Sequence, residues 1–600
     1  MKMLVLFIDM RSNHTQTVSK REKKKSSRAF LKMFWCFWGH LPKASKKSPW
    51  MGGLKRSPGL FQIRKEGIEI MSGKKEKGYL NFVLHAHLPY VRHPESDTYI
   101  EERWLFEAIS ETYLPLLMNF EKLVEEKVDF RITMNITAPL ITMLTDDLLQ
   151  KRYLRYLLER IRLAGKEVKR TVYDKSLNDL AKMYFYQFKE FYKVYKRKYH
   201  CDLVSAFKHF QDIGVLEIVA CPATHGFLPL LNVVPSAARA QIAVGVEMYK
   251  KHFGRQPNGM WLSECAYVPE VEEYLREFGI KYVFLETHGI TFAKPKPLYG
   301  TVAPIISPNG LVAFGRDMES SQQVWSSICG YPGDPNYREF YKDIGYELDW
   351  DYIKPYVAKA GVRVDTGIKY FKITGKTDYK EYYNDSNAKA VAELQADHFI
   401  SSRIAQINKV SDHMKNPPII TCQYDAELYG HWWYEGPYWL YVLFKKIYYN
   451  QDTFQLITPS EYLERYPDIQ ECAPAISTWG AHGYNEVWLN PGNDYIYMHL
   501  NNIAERMHYL AEVYQKPYEL QKRALNQCAR ELLLAQSSDW PFIITANTMV
   551  EYAHKRVRDH VGRFNALADM IDKDEINEEY LADIEYKDLI FPEVDYKIYR

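Results

Sequence analysis

A chain of 600 residues with 46% hydrophobic and 15% aromatic content, including 47 Tyr and 13 Trp, can bury a large core and form two to four domains. Its net charge of +3 averages two unlike parts: residues 1–70 hold 16 Lys+Arg against 4 Asp+Glu, whereas the remainder holds 62 against 71, an acidic body without the basic face of a nucleic-acid-binding protein. Eight scattered cysteines with no CxxC pair exclude a zinc ribbon and a disulfide framework, so a reducing, cytoplasmic setting is expected.

The basic leader, 1–70, contains VSKREKKKSSR and a short apolar patch, AFLKMFWCFWGHL, that carries a Lys and is too short to span a bilayer. The codons of Lys65-Glu66-Gly67 can spell a purine-rich ribosome-binding sequence three codons before Met71. The expectation is therefore a mis-called start, with the natural chain beginning at Met71. An organelle transit peptide or a basic tether to membrane or RNA are the alternatives.

In the body, YLNFVLHAHLPYV (79–91) and VDFRITMNITAPLI (128–141) alternate as strands, with Val83, His85 and His87 on one face. A long helical stretch follows over 145–212. Strands resume at 215–231, then a helix over 236–252, a strand over 258–268, a short helix over 270–279 and a strand over 281–286. Such alternation predicts a mostly parallel sheet with the 145–212 helices inserted between strands. GYPGDPNYREFYKDIGYELDW (330–350) predicts a long ordered loop, and 417–437 a buried strand running into a polar, aromatic turn. Beyond about 490 the pattern is helical.

Three constellations carry chemistry. His85 and His87, with His225 in CPATHGF, suit a zinc site, hydrogen bonds to a sugar, or satisfied core histidines. Glu264 in GMWLSECAYV and Asp425 in IITCQYD end strongly apolar segments, where a carboxylate costs several kcal/mol unless paired or used. Two such groups fit the acid and the nucleophile or base of glycosidic bond cleavage; two unrelated surface carboxylates would also satisfy the spacing. Trp104, Trp350, Trp432, Trp433, Trp479, Trp488 and Trp540 lie near turns, which predicts exposed rings suited to stacking on sugars, with about a third packing instead.

Taken in order, HAHLPYV, ATHGFLP, WLSECAY, YDAELYGHWW and STWG resemble the five motifs of glycoside hydrolase family 57. LHAHLPYV, ELYGHWWYEGP and SSDWPF favour its α-1,4-glucan branching enzymes, and the resemblance runs from about residue 78 to the C-terminus. Ser263 stands where many relatives would have proline. The resemblance implies an α/β fold: an incomplete (β/α)₇ barrel over 71–470 with the helical insertion, and a C-terminal all-helical domain over 471–600 that contributes to the substrate groove. It carries the nucleophile onto Glu264 and the general acid/base onto Asp425. It makes His85, His87 and His225 substrate-side residues, with no metal or cofactor. Trp104, Trp350, Trp479, Asp539 and Trp540 are expected along the glucan groove, and Tyr331 and Arg338 on a mobile loop over it.

The function implied is retaining cleavage of α-1,4 bonds and transfer of the chain to a 6-hydroxyl, in glycogen biosynthesis. The expected partner is α-glucan, with no nucleic acid and no membrane, and the expected state is a monomer. An α-amylase or 4-α-glucanotransferase would use the same carboxylates. A metal-dependent polysaccharide deacetylase would use the histidines, and a silent glycogen-binding protein only the aromatics.

Overall fold

The computed structural model describes residues 76–326, 330–357 and 361–600; the leader over 1–70 lies outside them. β1 (Gly78–Ala86) is buried at all nine positions, as a strand flanked by neighbours and covered on both faces must be. It pairs in parallel with β2 (Ile132–Ile136), which pairs with β3 (Leu216–Val219). Short strands follow: β4 (Gly259–Met260), β5 (Tyr282–Leu285), β6 (Ile305–Ile306) and β7 (Val312–Gly315). Next come β8 (Ile419–Asp425), β9 (Phe454–Leu456) and β10 (Gln470–Glu471).

These strands form two five-stranded sheets, one ordered β3-β2-β1-β8 with β9 also on β1, the other β10-β6-β7-β5-β4. Every strand pair is parallel except β6 with β7. Two single-residue parallel bridges link the sheets: Ala220, just after β3, pairs with Met260 of β4, and Arg316, just after β7, pairs with Thr421 of β8.

Helices fill the connections. Asp147–Arg170, Lys175–Lys193 and Leu203–Asp212 lie between β2 and β3, as the periodicity predicts. Asp146, Asp174 and Asp202 cap them, each accepting the N–H of the residue three positions on. Beyond Tyr495 the described chain is largely helical: Tyr495–Val513, Glu519–Ala535, Asp539–Ala546, Val550–Lys573 and Glu578–Lys587.

Several predicted strands are shorter than their apolar runs. The 128–141 segment is strand only to Ile136, because Pro139 opens a helix at Ala138–Thr145. The 215–231 strand stops at Val219, and the 258–268 strand at Met260. In each case the apolar residues that follow are buried by surrounding elements instead of by a ladder. The 330–350 loop contains a turn of 3₁₀-helix at Tyr331–Gly333 and a short helix at Ile344–Glu347.

Candidate active site

At the C-terminal edge of the first sheet, Asn135, His85 and Asp425 stand in register on three adjacent strands. Register partners in a parallel sheet project to the same face, so the three form a polar row. His85 Nδ1 lies 2.6 Å from Asn135 Oδ1, and the His85 ring stacks on Trp261 at 4.7 Å between centroids. Asp425 is 6% exposed at the last position of β8.

Glu264 follows β4 on a 3₁₀ turn, Ser263–Cys265, with φ of 66° and ψ of 20°. A non-glycine residue held there costs about 1–3 kcal/mol, a strain typical of functional positions. His225 (φ 59°) and Cys265 (φ 49°) share the left-handed region. The Glu264 side chain is 1% exposed yet well supplied with donors. Trp479 Nε1 donates to Oε2 at 2.6 Å and Ser538 Oγ to Oε1 at 3.3 Å, while the Glu264 carbonyl accepts the Trp479 N–H at 3.0 Å. His225 Nδ1 lies 2.8 Å from the same Ser538 hydroxyl and 3.9 Å from Glu264 Oε1. A carboxyl group buried in an apolar setting needs such hydrogen-bond partners.

His87 lies against His225, ring centroids 4.0 Å apart. Its Nε2–H donates to Asp539 Oδ2 at 2.9 Å, its Nδ1 is 2.9 Å from Thr137 Oγ, and Ser537 Oγ donates to the same Asp539 oxygen. His87, His225 and Asp539 bring one ligand atom each within 4.8 Å, a donor set that can also take a divalent cation. Replacing Asp539 with Ala leaves a buried donor unmet, at about 1–3 kcal/mol. If α-glucan is the substrate, as the motifs imply, kcat/KM on it should fall about 10- to 100-fold; an unchanged kcat/KM with a lowered Tm would make the pair purely structural.

Behind Trp479 stands an ion pair. The Arg316 guanidinium carbon lies 5.4 Å from the Trp479 ring centroid, and Nη1 donates to Glu286 Oε2 at 2.9 Å. Burial alone would raise the Glu286 carboxyl, but Arg316 and the Thr287 N–H outweigh it and hold it below its usual range. On the other side, Glu427 accepts from the Tyr113 hydroxyl and the His87 N–H, and burial pushes its carboxyl up. Gly430, at φ of 111°, lets the chain turn past Glu111, whose carbonyl would meet an added Cβ at 1.7 Å.

Residues 81–472 match glycosyl hydrolase family 57. The chain belongs to that family. Residues 499–599 match the C-terminal region of 1,4-alpha-glucan branching enzymes. A 1,4-alpha-glucan branching enzyme of Thermococcus kodakarensis is 35% identical over 522 residues, covering 82% of this chain and 73% of the relative. Among solved structures, an alpha-amylase of Thermotoga maritima is 44% identical with a TM-score of 0.82, covering 87% of this chain and 99% of its own. A family 57 branching enzyme of Pyrococcus horikoshii is 32% identical with a TM-score of 0.79, covering 87% and 97%.

Glu264, His85, His87, His225, Trp479 and Asp539 thus form one cluster, with Asp425 beside His85 in the sheet. The remaining expected site residues make other contacts. Trp104 and Trp540 are buried, each edge-on to Tyr552, and Trp540 Nε1 donates to the Leu534 carbonyl. Trp350 is half-buried with Arg363 over its ring. Tyr331, expected over the site, turns into the core against Trp439 with its hydroxyl on His398. Arg338 is buried over the Tyr434 ring.

The expectation that most tryptophans are exposed is corrected: Trp104, Trp433, Trp488 and Trp540 are buried. Proximity to a turn in sequence does not decide exposure when helices cover that turn. The exposed aromatic residues are chiefly tyrosines. Asn135, Thr137, Trp261, Arg316, Glu427 and Ser538 are not singled out from the sequence; Trp261, Glu427 and Ser538 lie within the quoted motifs, and Asn135 and Thr137 are polar alternates in the predicted strand over 128–141.

The Arg338 N–H donates to Glu435 Oε1 at 3.1 Å. Burial pushes the Glu435 carboxyl up to about 7, against the pull of Arg338 and Tyr383. A carboxyl raised on folding binds its proton in the folded state first, so its contribution to stability falls as pH rises from the ordinary carboxylate range through about 7. Glu435→Gln, which mimics the protonated form, should match the wild-type Tm at pH 5 and exceed it by roughly 2–4 °C at pH 8. Melting curves at both pH values check the sign.

Proposed function

We propose that this chain is a 1,4-α-glucan branching enzyme that works with retention through Glu264 and Asp425. The observation that carries the chemistry is a buried glutamate held between Trp479 Nε1 and Ser538 Oγ. The match of residues 499–599, together with the 35% identical relative, favours branching.

In the first half-reaction Glu264 attacks the anomeric carbon of an α-1,4 linkage while protonated Asp425 donates to the leaving oxygen. The C–O bond breaks, a glucosyl ester forms on Glu264, and the leaving chain departs with the proton. In the second half, Asp425 removes the proton from the 6-hydroxyl of an acceptor glucan, whose oxygen displaces Glu264 and creates an α-1,6 branch. Two inversions give net retention. His87, with its Nε2 oriented by Asp539, and His85, oriented by Asn135, flank the reacting sugar as polar contacts. We further infer that the seven parallel strands β1, β2, β3, β4, β5, β7 and β8 close into one incomplete barrel, which the two linking bridges support. A cytoplasmic monomer acting on α-glucan completes the reading. No helix among the described residues is long and apolar enough to cross a membrane.

The deciding experiment incubates the purified chain with amylose and counts α-1,6 linkages by proton NMR beside reducing ends. New α-1,6 signals with few reducing ends are expected. The 44% identity to an alpha-amylase of Thermotoga maritima favours a second reading, hydrolysis, which would give many reducing ends and no branches.

A further inference from the structure

The loop that braces Glu264 does not end at Trp479. Thr478 closes it like a clasp: its N–H donates to the Gly483 carbonyl at 2.9 Å and its hydroxyl to the Tyr484 carbonyl at 2.8 Å. His288 Nε2–H donates to that same Gly483 carbonyl at 2.9 Å. Gly483 sits at φ of 83°, and an added Cβ would meet the His288 ring at 2.8 Å, so the loop lies flat on the histidine only because this residue has no side chain.

His288 is the centre of an aromatic group. Its ring lies 5.6 Å from Tyr484 and 6.4 Å from Phe292, both inclined to it. Tyr484 is 45% exposed, Phe292 64%, and Ile476, beside them where Ala475 bonds to Gly289, is 50%. A single exposed apolar side chain is ordinary; several grouped on a hydrogen-bonded loop signal a binding surface. The position specifies the occupant. The helix Thr287–Thr291 begins two residues after β5, at the same strand ends as the site, and Thr478 is one Cα step, about 3.8 Å, from Trp479. The surface is continuous with the residue that holds Glu264. Rings with exposed faces fit the apolar C–H faces of pyranose units, and a polymer bound at Glu264 must leave the site across its rim.

We propose that Tyr484, Phe292 and His288 form an accessory subsite that binds the α-glucan chain several sugars away from the bond that is cut. The ligand class rests on the glucan reading above; the location rests on the loop. Long chains gain contact there and short ones do not, so the subsite sets a preference for chain length without touching the reacting atoms.

The test is the full chain carrying Phe292→Ser and Tyr484→Ser together, leaving Trp479, Gly483 and His288 unchanged. KM is measured on amylose and on an activated maltotrioside too short to reach the rim, and wild type and variant are weighed by light scattering. The expected result is a fivefold or greater rise in KM on amylose, kcat within twofold, unchanged kinetics on the maltotrioside and the same molecular mass. An unchanged KM on amylose overturns the proposal. So does an equal loss on both substrates, which would mean that the loop had displaced Trp479, or a smaller mass in the variant, which would mean that a second copy of the chain covers the patch. The linkage type made by the wild type is scored separately, so an enzyme that only hydrolyses would end the branching assignment without deciding the subsite.

Discussion

Glu264→Gln should lower turnover of amylose by at least about a thousandfold, because the amide cannot form the covalent ester on which both half-reactions depend. The substitution keeps the shape of the side chain, and one of its amide groups can still meet Trp479 Nε1 or Ser538 Oγ, so the fold should survive. Folding and catalysis are separated by a second variant. Glu264→Gly, given an activated α-glucosyl fluoride and azide, should yield a β-glucosyl azide, since the small anion enters where the carboxylate stood and inverts the centre once. An α-azide from this variant would remove Glu264 from the nucleophile's place.

Asp425→Ala should depress turnover of amylose by a comparable factor but leave a different fingerprint. The fluoride donor needs no proton to leave, so the glucosyl ester on Glu264 forms normally and then waits without a base. Azide attacks that ester without base assistance, giving the α-glucosyl azide after two inversions. The two variants thus predict opposite anomers from the same reagents. If the anomers came out exchanged, the roles of Glu264 and Asp425 would be exchanged with them.

Both carboxylates are legible in the sequence for one reason: a charged group inside an apolar run is costly, and it persists only where it is paired or used. What the run does not disclose is the backbone. WLSECAY has the apolar content of a strand, yet Glu264 lies on a strained turn, because Trp261, Leu262 and Cys265 are buried by other elements without a ladder of their own. The tryptophans mislead in the same way. Local sequence tells how each ring is connected, whereas exposure depends on helices hundreds of residues away. Trp540 and Trp104 both meet Tyr552, an encounter that no spacing along the chain announces. The polar partners are harder still. Ser538 reaches Glu264 across 274 positions, and His87 reaches Asp539 across 452. Helical periodicity, in contrast, carries its information within a few residues, so the insertion over 145–212 and the C-terminal helices are well described by the sequence alone.

That Glu264 leans on Trp479 and Ser538 has a consequence for how the protein is made. A ribosome delivers the chain in order, and every strand through β10 emerges before either donor does. The nascent polypeptide can assemble both sheets around a carboxylate that is still without its clamp. The clamp is complete only once the SSDW segment has been translated. On the proposed mechanism, a truncated product ending before Ser538 would be silent instead of wrongly active.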